Sequence, residues 1–364
     1  MIKSLELKPD LARTIDRLEA WWLGEIVDRP PVSIGIPPTA PVDLPRKQHA
    51  SLREQWLDVE YHVERGLAGL KSLTFVGDDI PAWMPNVGPE LTSTLWNCEL
   101  EFGKNTSWSI PFIESPDQFR QIAEQPPNFD NVYWQTIERM TDLALERFAG
   151  VAMVSIADLH GNMDILAGLR DPQLLCMDLI DDPEPVIAAQ MNVARGYGEA
   201  FGRLYDKVAA TGQGSLTWTR FYHEGPAYIP SSDFWCMLSD EMARDVVLPA
   251  IRQEMQPIER SIFHLDGPQA LRHLDLLLEM DDLDAVQWVY GAGNGPASRH
   301  IDVYRRCLDA GKSVQVACEG GEDGLAVLEA LGPRGVWLTG VGCGSVDEAE
   351  AYLQQVERLT RAAG

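Results

Sequence analysis

Two stretches of the chain place chemically useful side chains where an apolar run stops and a helical pattern starts. One is Ser261-Ile262-Phe263-His264-Leu265-Asp266-Gly267-Pro268, and the other is Gly340-Val341-Gly342-Cys343-Gly344-Ser345. His264, Asp266 and Cys343 supply an imidazole, a carboxylate and a thiol. That donor set suits borderline-soft Zn²⁺ in a tetrahedral arrangement with one position open to substrate, which is a catalytic pattern. After Pro268, Leu271, Leu274, Leu277 and Leu278 recur at helical spacing, and proline suits a first helical turn. After Cys343, Ser345 and Glu348 form an S-x-x-E capping box ahead of Ala349, Tyr352, Val356 and Leu359. Cys343 therefore stands before a helix N-terminus, whose partial positive charge predicts thiolate in preference to thiol.

The elements that must position these groups alternate. Candidate strands at 151–156, 215–219, 262–263, 285–289, 313–317 and 336–338 are separated by helical patterns around 184–209, 237–259, 268–280, 298–310, 322–331 and 346–361. Strand followed by helix, repeated this often, predicts parallel strands with crossover helices: an α/β fold, read as a (β/α)8 TIM-type barrel, with a doubly wound open sheet as the alternative. Residues 1–70 read as a helical and irregular N-terminal extension packed on a barrel of residues 71–364. A barrel gathers the residues after its strands on one face. That expectation nominates Asp78 and Asp79, His160, and Tyr222 with His223 as catalytic candidates beside the metal set. Residues 81–135 lack a sustained period. Their tryptophans Trp83, Trp96, Trp108 and Trp134 suit either an aromatic ligand box or, more simply, the core of an irregular lobe.

Composition bounds the partners. The 364 residues are 45% hydrophobic, enough for a large core, and carry a formal charge of −25. A surface this acidic repels nucleic acid and anionic membranes. No apolar run approaches the roughly 20 residues that span a bilayer, and the N-terminus lacks a secretory pattern, so the expected location is the cytoplasm. Six scattered cysteines with no C-x-x-C pair do not suggest a disulfide framework. Gly291-Ala292-Gly293-Asn294-Gly295 follows a strand but does not match a dinucleotide fingerprint.

From about residue 150 onward the chain resembles the uroporphyrinogen decarboxylase-like superfamily, which includes zinc-dependent cobalamin:coenzyme M methyltransferases. The resemblance rests on Leu169-Arg170-Asp171 leading to 178–184, on Ser239-Asp240-Glu241-Met242 leading to Pro249, on Phe263-His264-Leu265-Asp266-Gly267 and on Gly342-Cys343-Gly344. It implies a (β/α)8 barrel with the site at its C-terminal face. It also implies zinc held through a His-x-Cys pair and a Gly-Cys-Gly turn, positions that His264 and Cys343 match. Asp266 stands where the middle cysteine would be, and a harder ligand there predicts weaker activation of a thiol substrate. The function implied is methyl transfer involving a small-molecule substrate and a corrinoid, free or carried by a partner protein. The alternatives are uroporphyrinogen decarboxylation, for which Asp78 or Asp79 would bind pyrrole nitrogens, and a ligand-binding barrel without catalysis. The decarboxylase's arginine-rich N-terminal clamp is missing. Oligomerisation is left open by the sequence.

Overall fold

The computed structural model describes residues 2–38 and 41–363. They form a mixed α/β fold around a largely parallel sheet. In chain order the strands are β1 (Val32–Gly35), β2 (Val76–Gly77), β3 (Ala82–Trp83), β4 (Glu99–Phe102), β5 (Ser107–Ile110), β6 (Met153–Val154), β7 (Ser215–Leu216), β8 (Tyr222–His223), β9 (Ala227–Tyr228), β10 (Arg260–Asp266), β11 (Ala285–Val289), β12 (Ser313–Ala317) and β13 (Val336–Gly342). Seven of them make one sheet in the order β2-β1-β13-β12-β11-β10-β9. All its pairings are parallel except β1 with β2. β11 and β12 are almost wholly buried, which is why they read as continuous apolar runs. The helices Ile301–Asp309 and Gly321–Leu331 pack beside β12 and β13.

The remaining strands extend this arrangement in short pieces. β3 pairs with β6 in parallel, and β7 pairs with β8 antiparallel. Single bonds join the pieces: the Ile156 N–H donates to the Leu216 carbonyl at 2.8 Å, and the Ala227 N–H to Ser215 Oγ at 2.8 Å. Among the described residues the continuous ladder stops at seven strands. Residues 1–70 supply β1, next to the edge strand β2 of that sheet, so part of the expected extension is woven into it.

The helix Leu11–Trp22 closes the end of the sheet where the parallel strands begin. Its apolar stripe Leu11, Ile15, Leu18 and Trp22 is buried. Trp21 Nε1 donates to the Gly335 carbonyl at 3.1 Å, Ser313 Oγ donates to the Trp21 carbonyl at 2.6 Å, and Trp22 Nε1 donates to the Tyr222 carbonyl at 2.9 Å. At the far end of the chain the expected capping box forms. Ser345 Oγ accepts from the Glu348 N–H at 3.2 Å, and the Glu348 carboxylate accepts from the Gly344 N–H at 2.7 Å, opening the helix Val346–Ala363.

The poorly periodic stretch shares the main hydrophobic core. It holds the β4–β5 hairpin and the helix Gln118–Glu124, which packs on the long helix Pro183–Ala209. Trp96 and Trp134 are fully buried there, as core residues, whereas Trp108 on β5 is 53% exposed. No helix of the described residues is long and apolar enough to cross a membrane.

Candidate active site

The C-terminal ends of the strands bring His160, Asp164, Asp233, His264 and Asp266 together. One ligand atom from each of His160, Asp164 and Asp233 lies within 4.8 Å of the others, and the same holds for Asp233, His264 and Asp266. Asp233 belongs to both groups. It arrives there because the chain after β9 continues alongside β10: the His264 N–H donates to the Pro230 carbonyl at 3.0 Å and Ser231 bridges to His264. Asp164, in the first turn of the helix Asn162–Arg170, accepts from the Asp233 and Phe234 N–H groups at 2.9 and 2.8 Å and fixes that segment.

His264 is oriented by a chain of amides whose polarity is forced. Gln315 Nε2 donates to the Thr219 carbonyl at 3.0 Å, an acceptor with no proton to give, so Gln315 Oε1 must face Gln287. Gln287 Nε2 donates to that oxygen, which leaves Gln287 Oε1 to face His264 Nδ1 at 2.6 Å. Nδ1 must then carry a proton, so in the neutral ring the lone pair is on Nε2. The register makes the chain possible, since His264 stands opposite Gln287 on β11 and Gln287 opposite Gln315 on β12. The Trp218 indole packs edge-on against the His264 ring at 5.0 Å. Asp266 stands at the N-terminus of the turn that follows but makes no side-chain cap there, so its carboxylate is free to act as a ligand.

Burial works against charge on His160. Even so, Asp158 at 3.6 Å, helped by Asp164 and Asp233, outweighs it and pushes the imidazole up to about 10, so it is cationic at neutral pH. Burial, together with the repulsion of Asp233, pushes Asp164 up to about 7. Behind them Glu254 is fully buried. Its carboxylate accepts the Asn162 N–H at 2.5 Å and Asn162 Nδ2–H at 3.1 Å, but desolvation dominates and pushes it up to about 8. A Cβ on Gly161 would sit 2.3 Å from that carboxylate, so the turn needs glycine. Two adjoining cavities share His160 and Asp233. One of about 200 Å³ reaches His264 and Trp218, and the other of about 530 Å³ opens between Trp108, Glu90 and Met237.

Of the residues nominated from the sequence, His160, His264 and Asp266 lie in this cluster. The others lie elsewhere, for identifiable reasons. β2 runs antiparallel to β1, so the acids that follow it come to the opposite end of the sheet. There Asp78 is fully buried and accepts from Arg17 Nη1 at 2.9 Å, Arg29 Nη1 at 2.5 Å and the Val32 N–H at 2.9 Å: it ties the N-terminal helix to the sheet. Asp79 is claimed by Arg220, with two contacts of 2.7 and 2.8 Å. β7 ends two residues after it starts and doubles back as β8, which returns His223 to the level of Ser215. His223 Nδ1 there meets Glu19 at 2.9 Å, on the N-terminal helix. Tyr222 is buried beside it; burial pushes its phenol up to about 12.

Cys343 joins neither ligand group. It is 7% exposed, its N–H donates to the Gly35 carbonyl at 3.0 Å, and burial with Glu348 raises its thiol. The expected thiolate is therefore reversed: the acid that completes the capping box opposes the helix end. Asp164, Asp233, Gln287 and Gln315 were missed. A glutamine at the centre of each of two otherwise apolar strands, Val286-Gln287-Trp288 and Val314-Gln315-Val316, is the signal that would have found the amide chain. Asp233 had none, because β9 is only two residues long between Pro226 and Pro230.

No protein-family model and no curated protein matches the chain. Among solved structures it is similar to a methyltransferase from Methanosarcina mazei at 13% identity, with a TM-score of 0.61 over 95% of this chain and 98% of that one. A B12-independent methionine synthase from Shewanella sp. W3-18-1, in complex with selenomethionine, aligns at 11% identity over 92% of this chain and 98% of that one, with a TM-score of 0.42. The first likeness is one of fold, and the second is too distant to support an argument.

Proposed function

We propose that this chain is a metal-dependent methyltransferase of the uroporphyrinogen decarboxylase-like superfamily, built on a closed (β/α)8 barrel, with zinc bound by Asp233, His264 and Asp266. The observation that carries the reading is the amide chain from the Thr219 carbonyl to His264. A buried relay that presets the tautomer of one histidine, with its ring beside two carboxylates, is the arrangement metal-ligating histidines use. The fold shared with a methyltransferase and the motifs around Phe263-His264-Leu265-Asp266-Gly267 support the class. The donor set of one imidazole and two carboxylates fits Zn²⁺ and leaves a coordination position open. A zinc ion held there would act as a Lewis acid that lowers the pKa of a thiol or water acceptor.

The protein's own groups do the rest. Asp233 and Asp266 balance the ion's charge. Trp218 and the narrow cavity exclude water from the face of His264. His160, held by Asp158 through its Nε2, brings a positive charge into the cavity it shares with His264. A corrinoid is larger than the cavities described and would present its methyl group at their mouth, free or carried by a partner protein. Incubation with methylcobalamin and a panel of small thiols, followed through the cobalamin absorbance, tests the activity. Demethylation lost in His264→Ala is expected; turnover that is unchanged in His264→Ala would overturn the assignment.

A further inference from the structure

The larger cavity bears on the substrate class. Its polar wall is acidic: Glu90, Asp164 and Asp233 line it, and its one basic side chain, His160, faces Asp158. Glu90 has no ion-pair partner among the described residues and accepts from Ser109 Oγ at 2.8 Å and, at 3.4 Å, from Ser93 Oγ. The site is built around Gly168, where a Cβ would stand 2.8 Å from the Glu90 carboxylate and from both serine hydroxyls. The lining also holds aromatic and thioether residues. Trp108 and Met237 are 53% and 47% exposed, costly exposure for large apolar groups unless something covers them, and Phe234 lies beside them. The rim of Trp108 rests where a Cβ on Gly103 would come within 2.8 Å, so a second glycine sets the position of the indole. A partly buried carboxylate with no ion-pair partner and an exposed tryptophan, both lining one cavity of about 530 Å³, are groups with which a protein holds an organic cation.

We propose that this cavity binds a small methylated onium cation, a quaternary ammonium or a sulfonium, between Glu90 and Trp108, as a methyl donor that takes the place of the methylated corrinoid at the same acceptor. This rests on the methyltransferase reading. The chemistry balances without an oxidant or reductant. The C–N or C–S bond of the onium breaks with its electron pair leaving on the neutral amine or sulfide. A thiol acceptor forms the new C–S bond and loses its proton to solvent.

The test uses the full chain, titrated with choline and with its uncharged isostere 3,3-dimethylbutan-1-ol, followed by tryptophan fluorescence and calorimetry. Choline should bind saturably, and the isostere far more weakly. Glu90→Gln should weaken choline binding at least about fivefold, the worth of a charge pair in bulk water. Trp108→Ala should weaken it roughly 2- to 30-fold. His264→Ala should bind choline as the wild type does, which separates this inference from the metal assignment: absence of zinc would remove the activity and leave choline binding. Equal binding of the isostere, no effect of Glu90→Gln, displacement of choline by Zn²⁺ alone, or no saturable binding of choline or tetramethylammonium in the millimolar range would each overturn the proposal.

Discussion

Replacing Gln287 by Leu cuts the amide chain one step from His264 while keeping the side chain's bulk. The wild-type chain fixes three things at once: the proton on Nδ1, the ring's rotation, and the polarity of Gln315, which in turn holds the Thr219 carbonyl. Without Gln287 the imidazole is free to take the other tautomer and to rotate, so part of its population no longer offers Nε2 to an ion. Loss of a hydrogen bond that orients a metal-ligating histidine costs about 10–100-fold in metal affinity. Leu also leaves Gln315 Oε1 buried without a donor, at about 1–3 kcal/mol of folding stability. Competition with a chromophoric chelator measures the affinity, and urea unfolding the stability. An affinity within twofold of the wild type, alongside the expected loss of stability, would refute the claim that the relay presets His264.

Asp78→Ala leaves the buried Arg29 guanidinium without a carboxylate and Arg17 with Asp28 alone, and should cost about 3–5 kcal/mol in urea unfolding with the zinc content intact. Stability should fall as the pH rises from about 5 to 8. The folded chain keeps protons on Asp164 and Glu254, at about 7 and about 8, that the unfolded chain has shed by about pH 4–5, so their penalty is absent in acid and grows through that window. The charge on His160 acts in the same direction, with its contribution full below about pH 6.5 and lost as the pH rises toward about 10. Glu254→Gln should flatten the stability-versus-pH curve relative to the wild type at the cost of one hydrogen bond to Asn162; an unchanged slope in chemical unfolding across that range would contradict a neutral Glu254 at pH 7.

How much of this was legible in the sequence depended on whether local periodicity survives in the fold. β11 and β12 are buried on both faces, and their apolar runs mark their ends to the residue. Ser345 and Glu348 announced a helix start that the structure builds. The position of His264 and Asp266 at a strand end was legible because β10 is long and ends in polar residues. What failed was direction. Nothing in Val76-Gly77-Asp78-Asp79 says that the strand runs against its neighbour, yet that alone decides which end of the sheet receives the two acids. The β7–β8 reversal misled in the same way about Tyr222 and His223. Cys343 was misjudged through electrostatics: the helix end favours thiolate, but burial and Glu348 oppose it more strongly.

The central claim is that His264, preset by Gln287, is the pivot of a metal site shared with Asp233 and Asp266 and independent of Cys343. Elemental analysis of the purified wild type, His264→Ala, Asp233→Ala and Cys343→Ala, each after dialysis against a zinc buffer, tests it directly. The account predicts about one zinc per chain in the wild type and in Cys343→Ala, and loss of the metal in His264→Ala and Asp233→Ala. Zinc lost from Cys343→Ala and retained in His264→Ala, or a wild type that takes up none, would contradict it.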